Sequence, residues 1–202
     1  MTGGGLALVV VGTSWGGLDA LSQLLAGLPA DFPVPVAVVQ HRGREAGGLL
    51  RELLQAVTRL AVLDVEDKEP MMSSHVYLAP PDYHLLVERG HFSLSVDPPV
   101  RYSRPSVDVL FNSAADVYDR SVVGVVLTGA NDDGARGLRC IADHGGVAIV
   151  QDPATAASPV MPRAAQQLVP EAEVLPLEHI PNRLLTLGGV HRVPSAQRLE
   201  RS

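Results

Sequence analysis

Two rhythms of apolar residues alternate along this chain, and their alternation predicts a parallel α/β sheet. Leu6 to Val11 is an unbroken, valine-rich run that stops at Gly12, as expected for a strand buried on both faces. Leu18, Leu21, Leu24, Leu25 and Leu28 then recur at steps of three and four until Pro29, which gives a helix one apolar stripe. Val34 to Gln40 repeats the strand pattern, Leu49, Leu50, Leu53, Leu54 and Val57 repeat the helical one, and Leu60 to Val65 is a further short strand. Strands separated by helices call for parallel pairing, because each helix returns the chain to the edge where it started.

From Glu69 to Val100 the period shortens. His75 to Leu78, Leu85 to Glu88 and His91 to Val96 read as strands, with Arg89-Gly90 turning between the last two, and the stretch is expected to form a small antiparallel excursion. After Pro105 an amphipathic helix runs through Val107, Leu110, Phe111, Ala114 and Ala115, and Ser121 to Thr128 is another buried strand. A helix from about Asp133 to His144, a strand at Val147 to Gln151, a short helix at Pro162 to Leu168, a weak strand at Val174 and a helix at Ile180 to Leu187 complete the pattern. No repeat or long linker divides it, so residues 1–190 are expected to form one domain and 191–202 a polar C-terminal tail.

Composition removes several classes of function. With 202 residues, 46% of them hydrophobic and only 19% charged, the chain can bury a full core, and disorder, collagen and coiled coil are excluded. Three Phe, four Tyr and one Trp leave aliphatic side chains to fill that core. The net charge is −6 and Lys68 is the one lysine, so no electropositive stripe exists for a nucleic-acid backbone. No run of about 18 apolar residues is present to insert in a membrane, and the N-terminus lacks the basic-then-apolar order of an export signal. Cys140 stands alone, which excludes an internal disulfide and a cysteine zinc cage and suits a reducing compartment, with the cytoplasm as the default.

The candidate chemistry lies in the turns that follow strands. Gly12-Thr13-Ser14-Trp15-Gly16 has the spacing of a nucleophile elbow, in which glycines let a serine sit exposed between a strand and a helix. The same residues also read as an N-cap in a glycine turn. At the C-terminal edge of a parallel sheet, beside the N–H groups of a helix start, a serine stands where open α/β sheets bind ligands. It needs a base. Of the seven histidines, His41 directly follows a strong parallel strand and so emerges on the same edge, while the other six read as surface or capping residues. An orienting acid on that edge would come from Gly129-Ala130-Asn131-Asp132-Asp133-Gly134, where either carboxylate could serve or could merely favour the start of the next helix. The order serine, histidine, aspartate differs from that of α/β-hydrolases.

These residues resemble the catalytic domain of the chemotaxis protein-glutamate methylesterases of the CheB type, over about Leu6 to Leu187. The resemblance rests on Val10 to Gly17, Val39-Gln40-His41, Tyr77 to Pro80, Arg104 to Phe111, Leu127-Thr128-Gly129 through Asp133-Gly134-Ala135, and Met161-Pro162-Arg163. It implies a three-layer α/β/α fold with a mainly parallel sheet and a small antiparallel β-hairpin excursion, and it makes residues 1–190 a catalytic domain of that type. It also implies a carboxylic ester hydrolase that needs no cofactor or metal, removes methyl groups from γ-glutamyl esters on the helical signalling regions of chemoreceptors, and in some members deamidates glutamines there. Residue by residue it makes Ser14 the nucleophile, His41 the base and Asp133 the orienting acid, with the backbone N–H groups of Trp15 and Ala130 as donors to the oxyanion.

The chain departs from the family pattern at Trp15, where Thr or Ala is usual, and at Gly129-Ala130-Asn131, where Gly-Met-Gly is usual. Its first strand begins at about Leu6, so control by a phosphorylated receiver domain in cis is not expected. Two other readings stand beside the receptor methylesterase: a serine esterase for small esters, and a catalytically silent module that binds methylated helices. Nucleotide binding at Gly12 to Gly17 ranks last, because the glycine spacing misses the dinucleotide fingerprint and no lysine follows.

Overall fold

The computed structural model describes residues 5–41 and 48–190; the expected tail at 191–202 lies outside them. In chain order the elements are β1 (Leu8–Thr13), α1 (Gly17–Ala26), β2 (Val36–Gln40), α2 (Leu49–Val57), β3 (Ala61–Asp64), β4 (His75–Leu78), β5 (His84–Glu88), β6 (His91–Ser95), α3 (Val107–Tyr118), β7 (Val122–Val126), α4 (Ala135–Asp143), β8 (Val147–Gln151), α5 (Val160–Leu168), β9 (Glu173–Leu175) and α6 (Ile180–Leu187). Seven strands form one sheet in the order β3-β4-β2-β1-β7-β8-β9, with every neighbouring pair parallel. β5 and β6 pair antiparallel as a separate hairpin.

Helices cover both faces, and this explains the unbroken valine runs. Along β1, Leu8 and Val10 pack into a core shared with α3, α4 and the β5–β6 hairpin. Val9 and Val11 point the other way, into a core shared with α1, α2 and α6. All four are fully buried, so neither face of the strand has a place for a polar residue. The helical stripe read from the sequence is buried too: Leu21, Leu24 and Leu25 have no exposed surface, each contributing about 1.5–3 kcal/mol of hydrophobic stabilisation.

One element differs from the sequence reading. His75 to Leu78 was expected in the antiparallel excursion, but it lies in the main sheet, parallel to both β2 and β3. The expectation failed because the connection between β3 and β4 contains no helix, and a helix is the usual sign of a parallel crossover. Burial is what selects the position: Val76 and Leu78 face one core and Tyr77 the other. The excursion is thus reduced to β5 and β6.

Candidate active site

β1 occupies the middle of the sheet, and the strand order reverses beside it. The chain fills one side with β2, then β3 at the edge and β4 between them, and returns to lay β7 against the other side of β1. Open parallel sheets leave a crevice at such a point, beyond the carboxyl ends of the strands. The turns after β1, β2 and β7 all open there, and they carry Ser14, His41 and residues Gly129 to Asp133.

Backbone and side-chain bonds hold these turns together. Ser14 N–H donates to the Thr128 carbonyl at 3.0 Å, and His41 N–H to the Thr13 carbonyl at 3.0 Å. The Gln40 amide donates from Nε2 to the carbonyls of Ser14 and His41, at 2.8 and 3.1 Å. Thr13 Oγ1 donates to the Thr128 carbonyl at 2.8 Å, and Thr128 Oγ1 to the Trp15 carbonyl at 2.9 Å. The turn from β1 into α1 passes through Gly16 at φ +77°, a left-handed conformation that glycine enters without a Cβ penalty. The Ser14 hydroxyl itself makes no hydrogen bond among the described residues.

Asp133 is held by a different helix from the one it precedes. The sequence suggests that it caps α4. Instead its carboxylate lies at the N-terminus of α3, where Ser106 Oγ and Asp108 N–H donate to Oδ1 at 2.9 and 3.0 Å. Val107 N–H donates to Oδ2 at 2.7 Å, and His41 Nε2 stands 2.8 Å from the same oxygen. Asp108 returns the arrangement: its Oδ1 accepts from the N–H groups of Gly134 and Gly137 at 2.9 and 2.8 Å, at the start of α4. Two helices therefore exchange carboxylates, each satisfying N–H groups that a helix start leaves without partners. Gly134 enters α4 at φ +95°, where an added Cβ would stand 2.6 Å from Val107 Cγ1.

The exchange shifts the two acids in opposite directions. Burial pushes the Asp133 carboxyl up, but the His41 side chain and the backbone N–H groups of Asp108 and Val107 outweigh it and hold Asp133 below the ordinary value of 3.8. For Asp108 burial prevails and raises the pKa, against the Gly137 and Gly134 N–H groups and reinforced by the charge of Asp133. A neutral acceptor should therefore serve nearly as well at position 108. Asp108→Asn is expected to retain stability within about 1 kcal/mol, while Asp108→Ala, which strands two buried N–H groups, should lose on the order of 2–4 kcal/mol. Urea unfolding midpoints check the ranking, and equal losses would show that the charge itself is needed.

His84, read from the sequence as a surface or capping histidine, is buried. It accepts from Ser106 N–H at Nδ1, 3.3 Å away, and its Nε2 lies 3.2 Å from the Pro98 carbonyl. It thus braces the residue that donates to Asp133.

The second nitrogen of His41 has a partner of its own. Asn131 Nδ2 lies 3.0 Å from His41 Nδ1, and Asn131 Oδ1 accepts from Asp133 N–H at 3.1 Å. That second bond orients the amide, so its NH₂ group faces the ring and Nδ1 is an acceptor. The proton of the neutral imidazole is then on Nε2, directed at Asp133.

Ser14, Trp15, Gln40, His41 and Ala130 line an open cavity of about 430 Å³. Trp15 is 72% exposed at its rim. The N–H groups of Trp15 and Ala130 donate to no acceptor among the described residues. Among those residues no group of three or more His, Cys, Asp and Glu is placed to hold a metal ion, and no helix is long and apolar enough to cross a membrane. Asp132 takes no part in the cradle; it is exposed and paired with Arg101. Sequence reasoning missed the parts played by Ser106, Asp108, Gln40 and Asn131. Their signal was present, since each lies in a stretch that carried the family resemblance or departed from it, but none bore a chemical role of its own.

The family model described as CheB methylesterase matches residues 9–184. The chain belongs to the CheB methylesterase family. A Leptospira interrogans protein, provisionally named a protein-glutamate methylesterase/protein-glutamine glutaminase, is 43% identical over 180 residues, covering 89% of this chain and 93% of that protein. Protein-glutamate methylesterase/protein-glutamine glutaminase 2 of Anaeromyxobacter dehalogenans is 45% identical over 180 residues, covering 89% of this chain but 53% of its own length. The chain thus spans about half of that second relative. The crystal structure of the Thermotoga maritima CheB methylesterase catalytic domain superposes with a TM-score of 0.86 at 33% identity, covering 91% of this chain and all of that one. The three-layer arrangement expected from the sequence is accordingly that of a CheB catalytic domain.

Proposed function

We propose that this CheB-family domain is a protein-glutamate methylesterase, hydrolysing γ-glutamyl methyl esters on helical regions of chemoreceptors, with Ser14 as nucleophile, His41 as base and Asp133 as orienting acid. The observation that carries the reading is the contact of His41 Nε2 with Asp133 Oδ2 at 2.8 Å, in a ring that lines the same cavity as Ser14. With the Nε2 proton engaged by Asp133, the lone pair is on Nδ1, the nitrogen free of Asp133, in a ring that shares the cavity with Ser14. Ser14 Oγ attacks the ester carbonyl while Nδ1 takes its proton, and Asp133 supports the imidazolium that results. The backbone N–H groups of Trp15 and Ala130 stabilise the tetrahedral oxyanion. Methoxide is a poor leaving group, so the imidazolium returns its proton to the departing oxygen and methanol leaves. A water then repeats the cycle on the acyl-enzyme, releasing the glutamate carboxylate and restoring Ser14. Deamidation of glutamine follows the same path with ammonia as the leaving group.

An open cavity with an exposed tryptophan at its rim suits a protein surface better than a small enclosed ester. A cytoplasmic setting goes with this reading, in keeping with the free thiol of Cys140. Methanol release from methylated chemoreceptor fragments, measured beside release from a small free methyl ester, tests the proposal. The protein substrate is expected to give at least about tenfold higher kcat/KM, because contacts remote from the ester help to place it. Equal turnover of both would make the domain a small-ester esterase, and turnover of neither would leave a silent binding module.

A further inference from the structure

We propose that Asn131 is a positioning residue for the base: its amide occupies His41 Nδ1 at rest, holds the ring in the Nε2–H tautomer, and must yield that nitrogen to Ser14 for the reaction to begin. The inference rests on the assignment of His41 as base. The geometry behind it is a closed bridge. Asn131 accepts from the backbone of Asp133 and donates to the ring that Asp133 itself engages, so the acid loop reaches both nitrogens of the imidazole, Nε2 through Asp133 and Nδ1 through Asn131. A bond from an asparagine side chain to the N–H two residues on is a rigid local turn, which leaves the amide little freedom to present its oxygen instead.

The bridge has a chemical direction. An amide NH₂ can only donate, and it stabilises Nδ1 as a lone pair. Once Nδ1 carries a proton the two groups oppose each other, donor against donor. A hydrogen bond made to the neutral form of a titrating group disfavours its charged form. Asn131 therefore favours Nδ1 as a bare acceptor, and it competes with the Ser14 hydroxyl for the same lone pair. That competition accounts for a Ser14 hydroxyl with no bond among the described residues beside a histidine whose two nitrogens are both engaged.

Among the described residues, the charged groups around the ring do not supply the same effect. Asp133 faces Nε2 and favours the imidazolium, and Asp108 lies behind it in the exchanged cap. Asp132 is taken up by Arg101, and Asp19 lines the same cavity without a hydrogen bond to the ring. Arg104 shares a small hollow with His41, but its Nη1 donates to the carbonyls of Val96 and Asp97.

The test is an NMR titration of the His41 ring nitrogens in the whole chain, with the signal assigned by its loss in His41→Gln. The wild type is expected to show the Nε2–H tautomer above its midpoint. Asn131→Ala should move the midpoint up by about half to one pH unit, the scale of one net hydrogen bond. Asn131→Asp keeps an oxygen for the Asp133 N–H and places a carboxylate at Nδ1, so it should move the midpoint further in the same direction. The acidic limb of kcat/KM should follow both. An Nδ1–H tautomer in the wild type, or an Asn131→Ala midpoint that is unchanged or lower, overturns the inference. Because the titration needs no substrate, a protein that releases no methanol yet shows the expected shifts would overturn the proposed activity and leave standing only the hold of Asn131 on the ring.

Discussion

Ser14→Ala is expected to lower methanol release from a methylated receptor fragment by at least about 10⁴-fold, the scale on which loss of a triad nucleophile is felt. The change removes the atom that forms the acyl bond and leaves its surroundings in place. Ser14 N–H still donates to Thr128, and its carbonyl still accepts from Gln40. The lost hydroxyl has no partner among the described residues, so no buried group is stranded and the unfolding midpoint should stay unchanged. A structural serine would behave in the opposite way, with stability lost and turnover kept. Equal methanol release by the variant and the wild type, from correctly folded protein, would remove Ser14 from the mechanism.

Asp133→Asn should be nearly as severe, about 10⁴-fold in kcat, while Asp132→Asn should change turnover by no more than about threefold. The cradle explains the difference. Each oxygen of Asp133 accepts from a backbone N–H, Asp108 at Oδ1 and Val107 at Oδ2. An asparagine must put an NH₂ group at one of them, where donor meets donor. If that group faces Oδ2 it also meets His41 and inverts the tautomer; if it faces Oδ1 it opposes Asp108 N–H. The hydroxyl of Ser106 can rotate, but the backbone cannot. Asp132 by contrast is exposed, and its pair with Arg101 is of the kind that contributes little. A reversed ranking of the two variants would mean that the wrong carboxylate has been chosen.

The same cradle sets how pH acts on the acid. Asp133 is held below its ordinary 3.8, so it remains charged through neutral and mildly acidic solution. Its contribution to stability is complete above 3.8 and is lost as pH falls through the lower, folded value. Loss of activity at pH 5 to 6 would therefore not belong to this aspartate.

Much of this layout could be read in the chain because local patterns carried it. α2 and α6 run over the residues expected, Leu49–Val57 and Ile180–Leu187, and β8 likewise over Val147–Gln151, since an apolar stripe or a valine run bounded by glycine or proline admits few other structures. Ser14 and His41 stood out for a similar reason: each follows a strand whose direction was clear. β4 was misplaced because the usual sign of a parallel crossover, a helix, is missing before it. The carboxylate exchange could not be read at all. Asp108 and Asp133 lie 25 residues apart, and only the docking of α3 on α4 brings each to the other's first turn. Local pattern likewise left Asp132 and Asp133 equivalent, because which of two adjacent acids turns inward depends on how the backbone enters α4.

Two helix starts completed by each other's side chains are mechanically coupled, so a change at either carboxylate is felt at both. A chimera that imports an α3 start without a carboxylate at position 108 while retaining the native α4 loop would strand the N–H groups of Gly134 and Gly137, beneath the reacting groups. The segments 104–118 and 131–143 thus behave as one interlocked piece, and swaps meant to retune specificity should carry both or neither.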